Sequence, residues 1–137
     1  MKKIGVILAG CGVQDGSEIH EATLTIYFLD KEGAKVKFFA PDKDQRDVID
    51  HVEGKPMEEK RNVLKESARI ARGDIMPLSR IDLDSLDAII FPGGFGAAKN
   101  LCSYAVDGPD CRPDPEVGEV IRKAAEKKKV IGCICIA

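Results

Sequence analysis

Apolar positions in this chain fall into short continuous runs, and the stretches between them carry apolar residues at helical spacing. Lys3 to Leu8 is nearly all apolar, the pattern of a strand buried on both faces of a parallel sheet. Ala9-Gly10-Cys11-Gly12 makes a glycine-rich exit from it. Asp15 or Ser17 then offers an N-cap, with Glu18 and Glu21 in or near the first turn. Ile19, Ala22, Ile26 and Leu29 form one stripe of a helix that reaches about Lys31, where Gly33 stops it. Lys35 to Ala40 reads as the next strand, so the first forty residues form a right-handed parallel crossover.

Further along, residues 47–52 read as a short strand in an excursion, and Gly54-Lys55-Pro56 as a turn. A helix over 62–72 carries Val63, Leu64, Ala68 and Ile70 and ends at Gly73, and residues 81–87 are a polar connection. Ala88 to Phe91 is a second apolar strand, cut sharply by Pro92-Gly93-Gly94. A helix is expected from Gly96 or Ala97 to about Tyr104, and a proline- and glycine-rich loop to 115. A charged helix over 116–129 turns Val117, Val120, Ile121 and Ala124 inward, and a buried closing strand runs from Val130 to Cys135. Alternating strands and helices of this kind make an open α/β sheet, whose sites lie outside the carboxyl ends of the strands. Three of those ends are conspicuous here: Gly10-Cys11-Gly12, Pro92-Gly93-Gly94 and Cys135.

Composition narrows the function classes. The chain has 137 residues, enough for one domain with a sizeable core, and no repeat or linker divides it. It is 44% hydrophobic and 32% charged with a net charge of -2, the balance of a soluble globular protein without the basic footprint of a nucleic-acid binder. No run approaches the ~18 apolar residues of a membrane span, and the first apolar run is too short for a signal peptide. These features predict a cytoplasmic or mitochondrial-matrix protein that binds neither nucleic acid nor membrane. Five cysteines, an odd number, predict free thiols rather than a disulfide framework. Cys133 and Cys135 are one residue apart, which is not the spacing of a zinc or thioredoxin site, and His20 and His51 stand far from the cysteine pairs.

The chemistry concentrates at Cys135. A cysteine on a tight turn after a strand is exposed to substrate, and helix N–H groups nearby favour its thiolate. On pattern alone a nucleophile and a small buried hydrophobe fit Cys135 equally, while simple packing suits Cys133 better. The two share a face of an ideal strand, so Cys135 must leave strand geometry to act alone. Glu18 and Glu21 face the same side of the first helix and either can relay a proton, or both can simply complement the helix dipole. Gly93 and Gly94 bring backbone N–H groups close, which suits an oxyanion hole or an ordinary turn. Glu18, Cys11 and Asn100 are candidates for the substrate rim.

The runs Lys-Lys-Ile-Gly-Val-Ile-Leu-Ala-Gly-Cys-Gly-Val-Gln-Asp-Gly-Ser-Glu-Ile-His-Glu-Ala (2–22), Phe-Ala-Pro-Asp-Lys (39–43), Arg-Asn-Val-Leu (61–64), Ala-Arg-Ile-Ala-Arg-Gly (68–73) and Phe-Pro-Gly-Gly-Phe-Gly-Ala-Ala-Lys-Asn-Leu (91–101) resemble the ElbB-type glyoxalases. These are isoprenoid-biosynthesis (enhancing lycopene biosynthesis) proteins of the PfpI-like, class I glutamine-amidotransferase-like superfamily. The resemblance covers the whole chain. It implies a flavodoxin-like sheet with helices on both faces, Cys135 at the elbow, Glu21 as the glutamate beside the thiol with Glu18 as runner-up, and Gly93 and Gly94 as donors. It further implies a homodimer without cofactor or metal that converts small dicarbonyls to hydroxy acids, an activity also described as protein deglycation. Similar proteins continue past the elbow into the helix that polarises the cysteine, so the 137 residues are expected to be the N-terminal part of one domain.

Three other readings compete. A redox or stress-sensing module would oxidise Cys135 beside Glu21 without significant turnover. A glutaminase needs a downstream His-x-Glu that these residues do not contain. A flavin binder needs a Ser/Thr-rich phosphate loop, which the first exit turn lacks.

Overall fold

The computed structural model describes residues 1–137. Five parallel strands form the sheet, in the order β5-β2-β1-β6-β7. Strand β1 (Lys3–Ile7) lies at the centre, flanked by β2 (Lys35–Ala40) and β6 (Ala88–Phe91). It has no polar side chain after Lys3, and its residues alternate between two cores. Val6 and Leu8 face helices α1 (Ile19–Lys31) and α2 (Val63–Ile70), packing with Ala22, Ala40 and Val63. Ile7 and Ala9 face the other way, with Phe39, Ile89 and residues of α3 (Phe95–Asn100) and α5 (Pro115–Glu126). The expected α/β sheet with helices on both faces is the observed architecture. No helix is long and apolar enough to cross a membrane.

Several expectations are corrected. Glu18, not Asp15 or Ser17, caps α1; Ser17 is fully buried and its Oγ accepts from Ala9 N–H at 2.8 Å. The excursion after β2 is a small hairpin of β3 (Ile49–Asp50) and β4 (Lys55–Pro56), so part of the expected turn is strand. Strand β5 (Ile75–Pro77) adds to the expected elements, since three residues ending in proline give no period to detect. The helix expected over 97–104 is split into α3 and a turn of helix, α4 (Tyr104–Asp107). The last strand, β7 (Val130–Cys133), is shorter than expected and pairs with β6 within these 137 residues, where Val130 is 68% exposed. Cys133 is therefore exposed rather than a packed core thiol.

One long-range pin holds the excursion to α5. Asp114 caps α5 by accepting from Glu116 and Val117 N–H, and its second oxygen takes Lys43 Nζ at 2.8 Å. Burial raises the Asp114 carboxyl, but the Lys43 ammonium and the two N–H groups outweigh it and hold it below its ordinary value. A depressed carboxyl contributes stability above its unfolded pKa, about 3.9, and loses it as pH falls through the lower folded value. Asp114→Asn keeps the cap and removes the charge. It is expected to lower stability at pH 7 by about 0.5–1 kcal/mol, at the modest end for an ion pair because Lys43 is 37% exposed. In urea unfolding the gap between the two proteins should narrow as pH falls below the ordinary carboxyl range and the Asp114 carboxylate is protonated.

Candidate active site

Strand β7 leaves the sheet at its carboxyl end in a tight turn. Ile134 N–H still donates to Phe91 O at 3.0 Å, continuing the ladder, and Ala137 N–H returns to Ile134 O at 3.1 Å. Cys135 is the second residue of that turn and has φ 58°, the left-handed region that non-glycine residues rarely enter. Its side chain therefore departs from the face that Cys133 occupies. The thiol is exposed.

Two other segments converge on this turn. A methyl group placed on Gly93 would lie 2.5 Å from Cys135 Cβ, 2.5 Å from Glu21 Oε1 and 2.8 Å from Ile134 O. The Gly93 α-carbon thus sits between the candidate nucleophile and the candidate carboxylate, and only glycine fits there. Gly93 and Gly94 N–H groups are bonded to nothing in the protein. Glu21 Oε1 is buried and also has no hydrogen-bond partner. An unsatisfied buried acceptor and an exposed thiol thus flank a glycine turn whose own N–H groups are also unpaired.

Glu18 is placed differently from Glu21. Its Oε2 accepts from Glu21 N–H at 2.6 Å and its Oε1 meets His20 Nδ1 at 2.9 Å, so both oxygens are engaged within the protein. Burial pushes its carboxyl up, but the Glu21 N–H and the His20 side chain and N–H hold it below the ordinary range. His20 itself is an 89% exposed rim residue. The two glutamates that sequence left as alternatives are thus distinguished by their partners.

The remaining candidates stand apart. Asn100 is 1% exposed; its amide donates to Ala9 O and Asp15 O, and its carbonyl accepts from Arg46 N–H. It is a structural clip, and the reading of Asn100 as a substrate-rim residue is corrected. Cys11 is half-buried among Glu66 and Arg69 of α2 and Asp15, and burial, then Glu66, raise its thiol above its ordinary value. It is not among the groups gathered around Gly93. The first strand exit as a whole is closed by the protein's own groups: Gly10 N–H bonds Ser67 Oγ and Gly12 N–H bonds Ser17 O. Ser17, Asp15 and Ser67, polar and buried, went unnoticed in the sequence because short polar residues in loops give no periodic signal. His51 is bound on both ring nitrogens, to Ile49 O and to Gln14 N–H, in the hairpin's junction with the first exit.

No protein-family model matches the chain. It is 54% identical over 136 residues to the rat mitochondrial ES1 protein homologue, covering 98% of this chain and 51% of that protein. It is 53% identical over 136 residues to the human mitochondrial glutamine amidotransferase-like class 1 domain-containing protein 3, again covering 98% of this chain and 51% of that protein. The chain thus spans about half the length of the curated relatives it matches. Among solved structures, an isoprenoid biosynthesis protein with an amidotransferase-like domain from Ehrlichia chaffeensis superposes with a TM-score of 0.93 at 43% identity, covering 99% of this chain and 62% of that one. A DJ-1 superfamily protein from Agrobacterium tumefaciens, 16% identical, shares the fold with a TM-score of 0.52, covering 98% of this chain and 54% of that one. The fold is the flavodoxin-like DJ-1/ThiJ/PfpI fold. ES1 homologues and amidotransferase-like proteins are this chain's relatives.

Proposed function

We propose that the protein is a cofactor-free glyoxalase-type enzyme that converts glyoxal or a similar small dicarbonyl to a hydroxy acid, with Cys135 as nucleophile. The observation that carries this reading is that Cys135 Cβ and the unpartnered Glu21 Oε1 both come within 2.5 Å of where a Gly93 side chain would begin. The thiolate adds to one aldehyde carbon and forms a hemithioacetal. Glu21 takes the proton from that carbon and returns it to the neighbouring carbon, while the Gly93 and Gly94 N–H groups receive the negative charge on oxygen. The first carbon is oxidised to a thioester and the second reduced to an alcohol, so no outside oxidant is consumed. Water then hydrolyses the thioester, releasing the hydroxy acid and restoring the thiol.

The relatives support the setting of this chemistry. The Ehrlichia protein's description links it to isoprenoid biosynthesis, and the rat and human relatives are described as mitochondrial. We accordingly take residues 1–137 as the N-terminal part of a class I glutamine-amidotransferase-like domain acting in the mitochondrial matrix or the cytoplasm. The test is direct. Incubation of the full-length protein, of which these 137 residues are the N-terminal part, with glyoxal is expected to consume it and to yield glycolate in equal amount, followed by carbon NMR. A folded protein that leaves glyoxal at the uncatalysed rate would sink the assignment.

A further inference from the structure

We propose that Glu18 is a positioning residue that frees the Glu21 carboxylate and fixes where it stands; this rests on the function proposed above. Glu18 is the N-cap of α1 and Glu21 is the third residue of the helix. In a reciprocal capping box, a glutamate at that third position folds back onto the N-cap's own backbone N–H, satisfying it. Here only half of the exchange is made. Glu18 Oε2 accepts from Glu21 N–H at 2.6 Å, but Glu18 N–H donates to Gly93 O at 2.8 Å and is not available to Glu21. The Glu21 carboxylate, displaced from its ordinary partner, is left with Oε1 buried and unpaired against Gly93.

Glu18 therefore reaches both halves of the site. Its side chain anchors the backbone of the residue bearing the candidate base. Its backbone N–H anchors the Gly93 carbonyl, and because a peptide unit is planar and trans, that bond also orients the Gly94 N–H away from α1. The junction has little slack: a methyl group on Gly94 would lie 2.4 Å from Glu18 N and 2.5 Å from Gly16 O. The Glu18 side chain is only 17% exposed, and its other oxygen is tied to His20, so the carboxylate has no second use as a substrate ligand.

The experiment compares Glu18→Ala, which removes the cap, with Glu18→Ser, which supplies a shorter oxygen able to accept from the same N–H. Glu21→Ala serves as reference. Two readouts are taken in the intact protein: the pH profile of Cys135 alkylation by iodoacetamide, located by mass spectrometry, and glyoxal kinetics. Glu18→Ala is expected to shift the alkylation profile toward that of Glu21→Ala and to lower kcat about 30-fold with KM changed less than threefold. Glu18→Ser is expected to restore the alkylation profile and to hold kcat within about fivefold. An alkylation profile in Glu18→Ala that matches the unsubstituted protein overturns the proposal, as does a Glu18→Ser variant no better than Glu18→Ala. The alkylation readout needs no turnover, so absence of glyoxalase activity overturns the function and leaves the positioning role to be decided by alkylation alone.

Discussion

Replacing Cys135 by alanine is expected to abolish glyoxal turnover, by at least about 1,000-fold in kcat, while the unfolding midpoint stays within a degree or two. Both halves of this expectation follow from the position of the residue. The thiol is exposed, so removing sulfur leaves no buried cavity. The reaction, by contrast, has no other route to the covalent step. Cys133 is also exposed, but it lies on β7 opposite Phe91, before the turn. Cys133→Ala should accordingly retain turnover. A third substitution separates backbone from side chain. Cys135 holds φ 58°, which costs an ordinary residue about 1–2 kcal/mol and glycine nothing. Cys135→Gly should therefore be as inactive as alanine, yet as stable as the unsubstituted protein or up to about 1 kcal/mol more so, after the entropy of glycine in the unfolded chain is counted. Activity and stability moving in opposite directions at one residue is what a strained functional position predicts. Retention of turnover in Cys135→Ala would remove the nucleophile, and the mechanism with it.

What sequence revealed and what it hid divide along physical lines. Strands β1 and β6 were legible because burial on both faces makes continuous apolar runs, β2 because its apolar residues end at Pro41, and α1, α2 and α5 because each presents a periodic stripe to one of two cores. Strand β5 was not, since its three residues are held by β2 rather than by any pattern of their own. At the site, Cys135 and Gly93-Gly94 stood out as chain punctuation. The choice between Glu18 and Glu21 did not, because both belong to one helix start and the decision is made by Gly93 O, some seventy residues away in sequence. Asn100 misled for a related reason. A polar residue on a short helix after a glycine turn looks like a rim residue until its three partners, on the first strand exit, the loop after it and the excursion, are known.

Gly93→Ala is expected to lower turnover at least about 100-fold and stability by about 1–3 kcal/mol. The new methyl would meet Cys135 Cβ and Glu21 Oε1 at 2.5 Å and Ile134 O at 2.8 Å. Carbon atoms in contact settle near 3.5–4.0 Å, so about 1 Å of movement is required. Glu21 can swing its carboxylate aside, which by itself separates the base from the thiol. Ile134 O belongs to the backbone of the turn and Cys135 Cβ is fixed by it, so both move only if the end of β7 is pushed outward. Either response pulls apart the two groups on which the proposed proton transfer depends. Gly33→Ala provides the control. Gly33 holds φ 73° with nothing within 4 Å of the added methyl, so its substitution carries the cost of left-handed backbone, about 1 kcal/mol, and no clash. The pair should thus lose comparable stability in thermal unfolding while only Gly93→Ala loses turnover and slows Cys135 alkylation. If Gly93→Ala turns over glyoxal as Gly33→Ala does, then Cys135 and Glu21 do not act together across Gly93, and the close approach of the three residues is a matter of packing alone.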